Sequence, residues 1–196
     1  MHISEGVLSA PVLIGGGALT VLGLTVGLRK LTGEALVRTG VLSAAFFAAS
    51  LIHLPLGPVS AHLMLSGLLG ALLGWAAFPA IFVGLLLQAL LFQFGGLTVL
   101  GVNATVMGFP AVLCGLAARP FLKKSGRIFS IAAFVCGALA IFLSVVLVYL
   151  ALSLTSRDLS LFAGLFFWAH LALMAIEGTI TMLVLGFLKR LRPELL

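Results

Sequence analysis

IFSIAAFVCGALAIFLSVVLVYLALSL, residues 128–154, holds no Asp, Glu, Lys or Arg; Arg127 stands directly before it and Arg157 is the next charge after it. A helix needs about 20 consecutive apolar residues to cross a bilayer core of about 30 Å. This run meets that length with cations at its ends. A strand of a membrane β-barrel would alternate apolar and polar positions, and here the apolar character is continuous. The stretch therefore predicts a membrane-spanning helix.

The rest of the chain repeats the pattern. Of its 196 residues 62% are hydrophobic and only 8% are charged, whereas a soluble domain carries roughly 25% charged residues. Apolar runs occupy Val7–Leu28, Thr39–Ile52, Ala61–Trp75, Ala80–Phe94, Leu97–Ala118, Ile128–Leu154 and Leu159–Leu188. The fold class expected is all-α: a single integral-membrane domain over residues 1–196 with seven transmembrane helices. The stretch HLPLGPVS, residues 53–60, should break a helix, and Pro79 suits the opening of one.

Charge placement orients the threading. With the N-terminus outside, residues 29–38, residues 119–127 and the C-terminal tail fall in the cytoplasm. They hold Arg29, Lys30, Arg38, Arg119, Lys123, Lys124, Arg127, Lys189, Arg190 and Arg192, leaving Arg157 alone outside. That obeys the positive-inside rule, and an even number of spans would put one cluster on the wrong side. The expected location is the inner (plasma) membrane, multi-pass, with the C-terminus cytoplasmic. The net charge of +6 is thereby explained by loops, and nucleic acid is not expected as a partner. Cys114 and Cys136 lie far apart inside apolar runs, without metal-ligand spacing; they read as small buried hydrophobes.

Runs two to four are short. At 1.5 Å per residue, 15 residues give only ~22 Å of helix. Either these helices extend into the neighbouring loops or they stop short around a central cavity. Glycines recur at helical spacing, as at Gly23 and Gly27 and at Gly67, Gly70 and Gly74. Such steps let helix backbones approach closely, within one bundle or against another membrane subunit.

The polar exceptions carry the functional information: His2, Glu5, His53, His62, Gln88, Gln93, Asn103, His170 and Glu177. The chain opens MHISEG, with no Lys or Arg before Arg29, so it lacks the basic start of a secretory signal. The Met1 amine, the His2 amide nitrogen and the His2 imidazole Nδ1 are consecutive donors. A metal able to displace the amide proton would close a five- and a six-membered chelate ring with them. A fourth nitrogen would complete a planar set suited to Ni(II) or Cu(II), and unlike the usual sites of Zn(II) or Ca(II). His62 opens the third run at the outer face and is the candidate donor. A bulky second residue also generally blocks removal of the initiator methionine. An imidazole exposed at an interface, however, needs no function at all.

MHISEG resembles the opening of the CbiM/NikM family, substrate-binding membrane subunits of cobalt and nickel energy-coupling-factor transporters. GPVSAHLMLSGLLGALLGWAAFPAIFVGLLLQALLFQFGGLTVLGVNATVMG, Gly57–Gly108, is similar to the family's central block, and HLALMAIEGTITMLV, His170–Val184, to its last-helix motif. The resemblance runs nearly end to end. It implies metal held by the Met1 amine, the His2 amide and imidazole, and His62. Ni(II) or Co(II) would be the transported substrate, with cobalamin biosynthesis as the destination of cobalt. It also implies a coupling transmembrane subunit, two cytoplasmic ATPase subunits and often a small accessory membrane subunit. This chain has no GxxxxGK[ST] phosphate loop, so ATP use would lie in those partners.

Glu5, His53 and Asn103 are candidates to support the ligands, since a ligating imidazole usually donates its second N–H to a carboxylate or carbonyl. Asn103 could also pin the outer loop. His170 and Glu177 share a helix face seven residues apart, ~10 Å along the axis and too far to chelate one ion. Structural pairing with polar groups on neighbouring helices, such as Gln88, is the expectation for them. The competing readings are an intramembrane enzyme or a secondary cation transporter built on His170 and Glu177. Against these, there is no HExxH, no paired Asp and no evident inverted repeat, so catalytic residues are not expected.

Overall fold

The structure, a computed structural model, describes residues 3–56 and 59–193, with side chains except those of residues 53–61 and 157–169. Seven α-helices run in the order α1 Ala10–Leu28, α2 Glu34–Ala49, α3 Ser66–Leu73, α4 Ala77–Phe92, α5 Leu100–Leu122, α6 Arg127–Thr155 and α7 Arg157–Leu191. Two short strands, β1 His53–Leu56 and β2 Val59–His62, form an antiparallel hairpin between α2 and α3. Five stretches among the described residues are long and apolar enough to cross a bilayer: Ala10–Leu28, Ser66–Phe92, Leu100–Leu122, Arg127–Thr155 and His170–Leu191.

Helix α5 is the axis of the bundle, packed against α1, α3, α4 and α6, while α6 and α7 pair along their length. The approach of α1 to α5 depends on glycine: Gly16 lies against Val102, and Gly101 against Gly17. Two hydroxyls fasten that seam. Thr20 Oγ1 donates to the Gly101 carbonyl at 2.5 Å and Thr105 Oγ1 to the Gly16 carbonyl at 3.0 Å. Gly23 and Gly27 receive Phe78 and Pro79 of α4, and Gly67 and Gly70 receive α6 and α5. The glycine steps are therefore used within the bundle. Cys114 and Cys136 are both buried free thiols.

Three boundaries differ from the sequence expectation. Helix α2 starts at Glu34 rather than Thr39, because Gly33 takes φ +48° and turns the chain into a helix with Glu34 in its first turn; a carboxylate there favours the helix dipole. Helix α5 continues through Pro110 and Pro120 to Leu122 rather than ending at Ala118.

The third difference positions the site. A helix was expected over Ala61–Trp75, but residues 59–62 pair as a strand and α3 covers only Ser66–Leu73. The fold is helical as expected apart from this short hairpin, and among the described residues α2, with 16 residues, and α3, with eight, are shorter than a bilayer crossing needs. Gly70 sits against Ala111 and Gly115, and Gly74 beside Arg119, so α3 runs toward the Arg119 end of α5. There Gly74, at φ +57°, breaks the helix, one 3-10 turn follows over Gly74–Ala76, and α4 returns past Gly108 with Phe78. Pro79 lies in the first turn of α4, where its missing N–H costs nothing. At the same end, Lys189 Nζ donates to the carbonyls of Leu122, at 2.6 Å, and Lys124, and sits 4.3 Å over the Phe129 ring. A cation there suits the carbonyl-rich end of α5.

Candidate metal centre

Short half-helix geometry leaves residues 63–65 as irregular backbone inside the bundle. Such backbone is tolerated at membrane depth only where protein groups satisfy it. The Leu63 N–H donates to the Ile52 carbonyl at 3.3 Å, extending the hairpin ladder by one bond. The N–H groups of Met64 and Leu65 both donate to Glu177 Oε1 of α7, the second at 3.0 Å. This corrects the expected partner of Glu177. Gln88 is engaged elsewhere, its Nε2 donating to Ser50 Oγ at 2.7 Å, and Ser50 Oγ in turn to the Phe47 carbonyl at 2.6 Å.

His62 stands at the end of β2 with 4% of its surface exposed. Its Nδ1 lies 3.1 Å from the Leu63 carbonyl. A carbonyl only accepts, so Nδ1 is the donor in that contact. His53 is the Cα partner of His62 across the hairpin; its side chain lies outside the described residues.

Met1 and His2 also lie outside the described residues, but Ile3 does not. The Ile3 N–H donates to Asn103 Oδ1 at 3.0 Å, and Asn103 Nδ2 donates to the Ile3 carbonyl at 3.1 Å. One side-chain amide thus grips both polar groups of one residue's main chain. Asn103 is 2% exposed and Ile3 is equally interior. Asn103 was a candidate to support the ligands or to pin the outer loop; its described partner is the N-terminal segment. Removing it would leave two buried main-chain groups without partners, a cost of ~1–3 kcal/mol each. Asn103→Ala is therefore expected to loosen the first residues, read as loss of hydrogen-exchange protection at the Ile3 amide, with the helix content unchanged in circular dichroism.

Glu5 binds the segment between α4 and α5. Its N–H donates to the Gly95 carbonyl at 3.0 Å and its Oε1 accepts from the Thr98 N–H at 3.0 Å. Gly96, at φ +129°, passes so close that a Cβ would strike the Glu5 side chain. The Thr98 backbone bond holds the Glu5 carboxyl below its usual value of 4.5. A lowered carboxylate pKa means that the folded state favours the ionised form. The tie is thus fully present above pH 4.5 and is lost as pH falls through the lower, folded value. The protection of the Thr98 amide against hydrogen exchange, relative to its intrinsic rate, should fall on acidification below that range in the native chain, and lose that dependence in Glu5→Gln.

Among the described residues no three His, Cys, Asp or Glu side chains come together. Sequence reasoning missed the groups that hold the site: the Ile3 main chain, the Thr98 amide, and the Met64 and Leu65 amides. Main-chain donors have no residue signature. The hint was indirect, in polar side chains placed where no side-chain partner could be found.

A family described as "CbiM: Cobalt uptake substrate-specific transmembrane region" matches residues 2–195. The chain belongs to this family. A "Putative metal transport protein" of Haemophilus influenzae is 51% identical over 123 residues, 63% of this chain and 60% of that one. The "Cobalt transport protein CbiM" of Sorangium cellulosum is 30% identical over all of this chain and 94% of its own. A "Putative fused nickel transport protein NikMN" of Archaeoglobus fulgidus is 30% identical over all of this chain and 68% of its own. Among solved structures, a "transition metal transporter" superposes with a TM-score of 0.80 at 25% identity, covering 97% of this chain and 93% of that one.

Proposed function

We propose that this chain captures Ni(II) or Co(II) at the outer face of the plasma membrane and passes it inward as the substrate-specific subunit of an energy-coupling-factor importer. Its N-terminus lies outside and its C-terminus in the cytoplasm. The metal is held by the Met1 amine, the His2 amide and imidazole nitrogens, and His62. The observation that carries this reading is the clasp of Asn103 on Ile3. It fixes, in the bundle interior, the residue adjoining the three N-terminal nitrogens. Membership of the cobalt-uptake family and the nickel and cobalt titles of relatives matched over the whole chain support the cargo.

Energy comes from partners: a coupling transmembrane subunit and two cytoplasmic ATPase subunits, with a small accessory membrane subunit. An intramembrane enzyme or a secondary cation transporter centred on His170 and Glu177 gains no support from the geometry, since the Glu177 oxygen that is engaged is held by main-chain amides.

The test acts on the amine. Two residues added before Met1, or acetylation of its nitrogen, should remove tight Ni(II) and Co(II) binding by the purified subunit. Undiminished binding would overturn the N-terminal chelate.

A further inference from the structure

The half-helix α3 begins in the interior of the bundle, and its start is unusual in three ways. Leu65, at its N-cap position, has φ +49°, a left-handed conformation that an ordinary side chain adopts only when its surroundings impose it. The two amides leading into α3, of Met64 and Leu65, have one described acceptor between them, Glu177 Oε1. And Glu177, fully buried on α7, directs its described hydrogen bonds to this segment alone: its Oε2 has no hydrogen-bond partner among the described residues. A carboxylate at the positive end of a helix is favoured by the helix dipole, and here it comes from a different helix 112 positions on.

The backbone of α7 is itself firmly placed at this level. Gly137 of α6 sits against the Glu177 carbonyl, Gly178 and Thr181, and Gly67 of α3 sits against Gly137 and Cys136. A Cβ at Gly67 would come within 2.6 Å of the Cys136 carbonyl oxygen, and one at Gly137 within 2.7 Å of the Glu177 carbonyl oxygen. Three helices thus meet through glycine. Glu177 acts from a fixed base, and the short segment between His62 and Ser66 is the part that it holds in shape.

We propose that Glu177 is a positioning residue for the metal ligand His62, setting the depth and direction of its imidazole by fixing the amides of Met64 and Leu65. The inference rests on the metal-site reading of His62 given above. His62 is two residues from the first of these amides, and its Nδ1 is bound to the carbonyl of Leu63, directly between them. A shift of the Met64 peptide therefore moves the Leu63 carbonyl, and with it the group that orients the ring. Ligand placement within about 0.5 Å separates a working site from a loose one. Glu177 also joins the metal ligand to α7, so a movement of α7 is felt at His62.

The test is made on the full-length purified subunit with Ni(II) alone as probe. Glu177→Asp keeps the carboxyl group but withdraws the acceptor by one methylene; Glu177→Gln keeps an acceptor oxygen at the original reach. Glu177→Asp should lower Ni(II) affinity about tenfold or more and move the visible d–d band of the bound Ni(II) toward that of His62→Ala. Glu177→Gln should return to within about threefold of the native affinity, with the native band. Wild-type affinity and band in Glu177→Asp overturns the proposal. So does a loss of affinity with the native band, which would place the effect away from His62. If His62→Ala itself leaves affinity and band unchanged, the metal-site reading is what fails. If His62→Ala loses the band and Glu177→Asp does not, only the positioning role fails.

Discussion

His62→Ala should lower Ni(II) affinity by more than about a hundredfold while leaving the helices folded. An outer partner of a metal ligand typically contributes 10–100-fold, and a ligand itself should exceed that. Three nitrogens from Met1 and His2 would remain, with water as the fourth donor. The expected loss thus corresponds to at least ~2.8 kcal/mol at about 1.4 kcal/mol per decade. His62 ends a two-stranded hairpin, and its Nδ1 contact is with the adjacent residue's carbonyl, so truncation severs no tie between distant helices through that nitrogen. Isothermal titration with Ni(II), beside thermal unfolding of the metal-free subunit, separates the two effects. A hundredfold loss with an unchanged melting temperature is the expected pair of results; native affinity in the folded variant would remove His62 from the ligand set.

The other large effect is on stability. Gly70→Leu and Gly115→Leu should each prevent α3 from docking on α5. A Cβ at Gly70 would sit 2.6 Å from the Ala111 carbonyl carbon, and one at Gly115 2.6 Å from the Ala71 nitrogen. These obstacles are backbone atoms, which cannot rotate aside as a side chain does. Overpacking a core costs typically ~1–3 kcal/mol when side chains can adjust, so a backbone clash belongs at or beyond the upper end. For a chain of this length that is a fall of about 10 °C or more in melting temperature. Gly40→Ala supplies the control. A Cβ there meets nothing, and alanine is the better helix former by roughly 1 kcal/mol, so its melting temperature should hold or rise slightly. Metal binding should fail in Gly70→Leu together with the fold, because α3 carries the backbone that follows His62.

The membrane class was plain from the uncharged run at 128–154, and α6 spans 127–155. Charge and apolarity have a length scale that matches the bilayer, so long helices announce themselves. The third run did not. Ala61–Trp75 reads as continuous apolar sequence, yet its first residues form a strand and its middle is irregular. Nothing in the side chains from Leu63 to Leu65 distinguishes helix from extended chain. What decides is whether an acceptor for two amides exists elsewhere, and Glu177 supplies it from more than a hundred residues away. Asn103 was legible as an interior polar residue with a task near the outer face. That it grips the main chain of Ile3 was not, because a main-chain partner can be any residue. Glu177 was legible as functional or structural by its burial in a span, but its main-chain partners at Met64 and Leu65 were not, while Gln88 binds Ser50.

Both clasps of the candidate site join parts of the chain that are made far apart in time. Asn103 reaches residue 3 across 100 positions, and Glu177 reaches residue 64 across 113. During synthesis the Asn103 clasp on Ile3 waits for α5, and the backbone at 64 and 65 waits for α7. A chain halted after α6 would contain Met1, His2 and His62 and yet lack the carboxylate that shapes the path between His62 and α3. The backbone around His62 is in this sense shaped only at the end of biogenesis, when the last helix is in place.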